Sequence, residues 1–249
     1  MRVVVLLAAL AMPVVAWLAQ RGTFGPDNGE MSDRFPTLLV AAGYAFSIWS
    51  LIFLLDLVHA LRQMRGREGG DALPRRIAPA TAAGFLLTSA WMPLFSQGLF
   101  AVCLLVIFGA LGCLAWAAVQ LSDAGPRGGV HFWSWLALSL HAGWLSLAAF
   151  LNLAQSALAF GWTHEQAQLT SSLLLLAAAT ALLLWLNARM RGNLAYVAAA
   201  LWGLVAVWVR QSDAGTPGSD VTAAVAVAMA VLLSAQTAWL RFQARARPG

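Results

Sequence analysis

Wound as an α-helix at 100° per residue, the segment 132–160 brings Ser134, His141, Trp144, Ala148, Asn152 and, less closely, Gln155 onto one stripe. A stripe that combines an imidazole, a carboxamide, a hydroxyl and an indole can stack on a flat ligand, orient it by hydrogen bonding or ligate a metal that it carries. A second set lies in the segment 37–61, where Trp49, Ile52 and Asp56 share a face and His59 follows Asp56 by one turn. Thr88, Ser89 and Trp91 make a third set. Asp56 is the one acidic residue inside an apolar run, so it reads either as a proton relay or as the partner of His59 or of an arginine at the inner interface. These segment bounds put Asp56 and His141 at different depths, which argues against their working together as acid and base. His141 has two readings as well, a core histidine bonded to a neighbouring helix, the commoner case, or a ligand.

The elements that must position these residues follow from composition. With 61% hydrophobic residues, 10% charged residues and a mean hydropathy of +0.75, the chain has too little polar surface for a protein in water. A helix needs roughly 20 apolar residues to cross the hydrocarbon core. Runs of that kind are predicted at 3–20, 37–61, 77–96, 98–121, 132–160, 168–187, 194–210 and 221–240, giving an all-α polytopic membrane bundle of about eight helices. The runs are uniformly apolar, which excludes the alternating strands of a membrane barrel. The first run, with Arg2 ahead of it and a small residue at Ala16, resembles a signal peptide but is read as the first span.

Placing the amino terminus in the cytoplasm puts Arg2, Arg62, Arg65, Arg67, Arg75, Arg76, Arg127, Arg189, Arg191, Arg241, Arg245 and Arg247 inside and leaves only Arg21, Arg34 and Arg210 outside. That bias predicts a multi-pass protein of a bacterial-type inner membrane with both termini cytoplasmic. The net charge of +5 sits in short loops beside helix ends, so its expected partners are anionic lipids on the cytoplasmic side and not nucleic acid. Among the loops, 21–36 is long enough to fold over a cavity mouth, 66–71 and 211–218 are Gly-rich turns, and Ser96-Gln97-Gly98 joins two antiparallel neighbours almost directly.

Other chemistry is excluded by what the chain lacks. It has no lysine, so neither a retinal Schiff base nor a pyridoxal phosphate linkage can form. Cys103 and Cys113 are separated by about 15 Å along one helix, too far for a disulfide, and have no neighbours at zinc or iron–sulfur spacing. His59, His131, His141 and His164 show no two-haem pattern, and no Walker loop, dinucleotide fingerprint, HExxH or nucleophile elbow occurs. Of the 12 tryptophans, Trp49, Trp91, Trp144 and Trp202 lie deep, whereas Trp17, Trp116, Trp133, Trp135, Trp162, Trp185, Trp208 and Trp239 lie near span ends as interfacial belt residues.

Phe35-Pro36 just ahead of the second span, the run Gly43-Tyr44-Ala45-Phe46-Ser47-Ile48-Trp49-Ser50-Leu51-Ile52-Phe53 within it, the run Ala90-Trp91-Met92-Pro93-Leu94-Phe95 in the third, and Trp144 with Ala148 and Leu151-Asn152 in the fifth stand in this order along the chain. In order and placement they resemble the TspO/translocator protein family, the tryptophan-rich sensory proteins, over about residues 1–160. The resemblance implies a five-helix bundle whose pocket binds porphyrins and other flat apolar ligands, often in a dimer. Carried over, Trp49 and Trp144 match the pocket tryptophans, Trp91 the third-helix tryptophan and Asn152 the fifth-helix asparagine. The chain departs from the pattern in lacking a Trp-x-Pro-Pro motif and a cholesterol-recognition pattern. It also has Thr88 where asparagine is usual and His141 where an aromatic hydroxyl is usual. Spans six to eight have no counterpart in the five-helix proteins.

The chain is therefore expected to comprise a TspO-like five-helix bundle at 1–160 and a three-helix extension at 161–249, in one continuous membrane domain. The expected ligand is a tetrapyrrole (porphyrin, haem or bacteriochlorophyll) or a similar flat molecule, stacked on Trp49, Trp91 and Trp144. Asp56, Thr88, Ala148 and Asn152 complete the site, and His141 is the expected axial ligand if the ligand carries a metal. No catalytic residue is assigned. The alternative is an accessory subunit of a larger membrane complex that handles pigments or electrons, whether as a homodimer or with other chains, in which the Ala- and Leu-rich last spans face lipid or partners.

Overall fold

In a computed structural model, described for residues 1–65, 72–124, 130–164 and 167–246, the chain forms nine α-helices and no strand among those residues. The predicted turn at 66–71 and the topology arginines Arg67, Arg127 and Arg247 lie outside the described residues. Helices α1 (Arg2–Gln20), α4 (Ala72–Ser96), α5 (Phe100–Ala124), α6 (Val130–Ala159), α7 (Gln168–Arg189), α8 (Leu194–Ala214) and α9 (Ser219–Ala246) match predicted spans within a few residues. Eight segments are long and apolar enough to cross a membrane, which makes this a multi-pass membrane protein.

The second span differs from expectation. Helix starts late, as a 3₁₀ turn over Gly43–Ser47 that runs into α3 (Ile48–Arg65), and residues 37–42 are not helical. Pro36 disfavours helix at the residue before it, and the backbone beyond is bonded elsewhere. Ala42 N–H donates to Ala206 O at 2.9 Å, and the Gln211 side chain donates to Val40 O at 3.2 Å. Irregular backbone survives in a membrane where protein satisfies its polar groups, and here α8 does so. Trp202 of α8 also donates its indole N–H to Ala45 O at 3.1 Å, bracing the turn that leads to Trp49.

The loop at 21–36 contains the short helix α2 (Asn28–Arg34), started by a capping box: Glu30 N–H donates to Asp27 Oδ1 at 2.8 Å and Asp27 N–H to Glu30 Oε2 at 3.3 Å. Between α4 and α5 the connection is as tight as its sequence suggests. Gly98, at φ +70°, takes the left-handed position that closes the end of α4 with Gly98 N–H on Phe95 O and Leu99 N–H on Leu94 O.

Packing closes two rings that share one helix. Helix α1 lies against α3 and α4, α4 against α5, α5 against α6, and α6 returns to α3; on its other side α6 meets α7 and α8, and α9 covers both. Shared by both rings, α6 is the most enclosed span, with 78% of its apolar stretch buried against 28% for α7 and 33% for α9. Helices α6 and α8 approach backbone to backbone. A Cβ on Gly143 would collide with the Tyr196 carbonyl, and one on Gly203 would stand 2.6 Å from Leu147. Asn193 caps α8 through Ala195 and Tyr196 N–H and donates to Ser139 Oγ at 2.7 Å and Ser122 Oγ at 3.0 Å, so one residue ties α5, α6 and α8. The last three spans are thus not a uniform outward extension. Helix α8 buries one face against α6 while exposing Val205 and Trp208 on the other, and α7 and α9 are more exposed still, with Leu174, Trp185, Val231 and Trp239 outward.

Interfacial tryptophans take arginine partners at both ends of the bundle: Arg21 over Trp17 at 4.3 Å at one, Arg62 over Trp133 at 5.5 Å and Arg76 over Trp116 at 5.9 Å at the other.

Candidate functional site

Asp56 of α3 and His141 of α6 are both fully buried, and His141 Nδ1 lies 2.8 Å from Asp56 Oδ2. This overturns two expectations, that the residues occupy different depths and that Asp56 pairs with His59 or an arginine. Their depths match because α3 continues to Arg65. At 1.5 Å per residue Asp56 is about 14 Å from that end, and His141 is about 16 Å from the Val130 end of α6, on the same side of the bundle.

The other nitrogen, His141 Nε2, lies 3.3 Å from Thr88 Oγ1, and that hydroxyl also lies 2.9 Å from Gly84 O, to which it donates. A hydroxyl has one hydrogen, so Thr88 accepts from His141 Nε2–H, and a single proton remains to bridge Nδ1 and the carboxyl. Whichever partner holds it, the pair has no net charge, which is how an aspartate can sit at this depth. Phe85 stacks on the imidazole at 6.0 Å and 13°, and Trp49 meets its edge at 5.6 Å and 87°. Hydroxyl, imidazole and carboxyl stand in the order of a nucleophile, base and orienting acid. Neither Thr88 nor His141 lines the cavity described next, however, and the Thr88 hydrogen is already committed to Gly84.

The tryptophans form a separate site. A cavity of about 40 Å³ is lined by Trp49, Trp91, Trp144, Ala148, Asn152 and Gln155, with Phe46, Phe95 and Ser32. Trp91 donates its indole N–H to Asn152 Oδ1 at 3.2 Å and stacks on Phe95 at 4.8 Å; Trp49 and Trp144 meet edge to face at 6.0 Å. Gln155 donates to Ser32 Oγ at 2.7 Å and to Ser32 O at 3.2 Å, latching α2 over the cavity mouth. Three buried N–H groups here, Trp49 Nε1, Trp144 Nε1 and Asn152 Nδ2, have no hydrogen-bond partner. Trp49 and Phe46 also line a groove of about 830 Å³ between α1 and α3, with Trp17, Gln20, Asn28 and Leu54 on its walls.

The residues picked out in the sequence therefore divide in two. Trp49, Trp91, Trp144, Ala148 and Asn152 come together at the cavity, whereas Asp56, Thr88 and His141 form a polar knot that Trp49 joins to the cavity. As an axial ligand His141 does not fit, because both of its nitrogens are hydrogen-bonded within the protein and neither faces the cavity. Among the described residues no group of three His, Cys, Asp or Glu side chains could hold a metal ion. Sequence reasoning missed Phe85, Phe46 and Ser32. The Asp27-x-x-Glu30 capping signal could have revealed the helix that carries Ser32.

No curated protein and no solved structure matches this chain. A family model described as TSPO-like protein does match, over residues 2–239, which extends past the stretch of resemblance at 1–160 through α7 and α8 and into α9. With nearly its whole length matched, and with the aromatic cavity between its second, third and fifth spans, the chain belongs to the TSPO-like protein family.

Proposed function

We propose that the protein binds a flat apolar ligand of the tetrapyrrole class inside the membrane, between α3, α4 and α6. The observation that carries this reading is the set of unpartnered buried N–H donors on Trp49, Trp144 and Asn152 around an aromatic cavity. Buried donors are rarely left unpaired, so they favour a guest that offers acceptors at its edge and a π-face to the indoles. The cavity volume of about 40 Å³ has room for a few waters, well short of the roughly 300–1,000 Å³ of a pocket for an organic ligand. Binding therefore requires Trp49 to swing aside and join the cavity to the groove between α1 and α3, with the Ser32–Gln155 latch admitting or retaining the guest. Asn152 and the indoles orient the ligand, and His141 stays with Asp56. The setting is a bacterial-type inner membrane with both termini cytoplasmic, where Arg62, Arg65, Arg75 and Arg76 meet anionic lipid head groups.

A second reading, an accessory subunit in a homodimer or larger complex, is favoured by an outer groove of about 590 Å³ between α8 and α9, lined by Trp208, Ala226, Ala230, Ser234 and Ala238. Titrating protoporphyrin IX into the protein in lipid nanodiscs, read by tryptophan quenching, tests the first reading. Trp144→Phe and Asn152→Leu should each weaken binding about tenfold. Equal affinities in all three proteins would refute the cavity. A colourless preparation from native membranes that runs far above its own mass would favour the second reading.

A further inference from the structure

Asp56, His59 and Gln63 recur at i, i+3 and i+7 on one buried face of α3. Each commits one polar atom within the protein: Asp56 Oδ2 to His141, His59 Nδ1 to Ser134 Oγ at 2.8 Å, and Gln63 Nε2 to Pro74 O at 2.9 Å. Each also keeps a buried atom with no partner, Asp56 Oδ1, His59 Nε2 and Gln63 Oε1. Three such atoms in succession on one face are not what packing alone produces, since buried polar groups are nearly always paired. Along the helix the steps are about 4.5 Å and 6 Å, intervals that one or two waters span at about 2.8 Å per hydrogen bond.

The line has a direction. Beside Gln63 stands the exposed Arg62, and beyond it the exposed Arg65 ends α3. On the other side of the pair the same face continues as the apolar, fully buried Ile52, one turn before which Trp49 forms part of the cavity wall. From neighbouring elements the seam is met by His141 and Ser134 of α6, with Thr88 of α4 on the far nitrogen of His141, and by Phe85 and the Pro74 carbonyl of α4; His131 is buried one turn before Ser134 on α6. Helix α1 contributes no titratable side chain between its ends.

We propose that this seam is a hydrated, one-sided proton path joining the aqueous phase at the Arg62–Arg65 end of α3 to the Asp56–His141 pair at mid-membrane. Its ligand is the water-borne proton. Exchange is balanced, one proton arriving as another leaves by the same line, so no charge accumulates at depth. Because Trp49 touches His141 and also lines the cavity, the path ends directly behind the cavity wall. It stands whether or not the cavity binds a tetrapyrrole.

The test is exchange of the His141 ring N–H with water, followed by NMR on ¹⁵N-histidine-labelled protein in lipid nanodiscs. That N–H is present in either placement of the shared proton. His59→Leu and Gln63→Leu should each slow exchange at least about tenfold, while Ile52→Val, buried on the closed side and outside the cavity lining, should leave it within about twofold of wild type. Two independent leucine variants keep the test open if one fails to fold. Unchanged rates in both, a wild-type N–H that does not exchange, or a slowing in Ile52→Val equal to theirs would overturn the proposal.

Discussion

Removing one member of the Asp56–His141 pair should cost far more stability than removing both. Both side chains are fully buried, joined by one 2.8 Å contact, and enclosed by Phe85 and Trp49. His141→Phe would strand a carboxyl whose second oxygen already lacks a partner, and Asp56→Leu would strand Nδ1. Breaking a buried pair in this way costs about 3–5 kcal/mol, whereas replacing the whole pair by apolar groups of similar size is often neutral or even stabilising. The double variant should therefore cost no more than about 1–2 kcal/mol, leaving a coupling of several kcal/mol in the cycle, above the usual 0.5–3 kcal/mol for contacting residues. Reversible unfolding in mixed micelles, with the four proteins measured side by side, provides the numbers. If the double variant cost the sum of the two singles, the net-neutral pair would be wrong and each residue would have to find its stabilisation elsewhere.

Two further substitutions probe how the cavity is held. Gly143→Val should lower stability by about 1–3 kcal/mol, because the new side chain meets the Tyr196 backbone and not a flexible side-chain tip, and thermal melting followed by tryptophan emission would register it. A matching Gly161→Ala change, at a position with open space but φ +67°, is not an equivalent control; Gly112→Ala, which meets nothing within 4 Å, is one and should leave melting unchanged. Gln155→Leu should release α2, seen as faster amide exchange over residues 28–34 with little change in the core of α6, since its amide is what ties Ser32 to that helix.

The pocket residues were legible because hydropathy, helical period and motif order all bear on the same positions. Trp49, Trp91, Trp144 and Asn152 needed only correct helix faces, and an error of a few residues in helix ends does not change which residues share a face. The depth of Asp56 was not legible in that way. Setting the second span at 37–61 and not at 43–65 moves its register along the bilayer by about 6 Å, enough to part Asp56 from a partner that it touches. The reason for the late start, backbone bonds from residues 40 and 42 to α8, lies more than 150 residues along the chain and leaves no local signal.

By itself the sequence determined the class of the protein: an all-α, multi-pass bundle with eight apolar runs, and the aromatic and polar faces that its second, third and fifth spans must turn inward. These follow from composition and period, which act locally and survive small errors of boundary. Only the tertiary structure decided which polar groups meet. It paired Asp56 with His141 and His59 with Ser134, separated that knot from the tryptophan cavity, and turned α8 inward to hold the segment before Trp49. Partner choice inside a bundle depends on relative depth and rotation of helices, and those are set by close approaches such as Gly143 on Tyr196, which hydropathy and period do not encode.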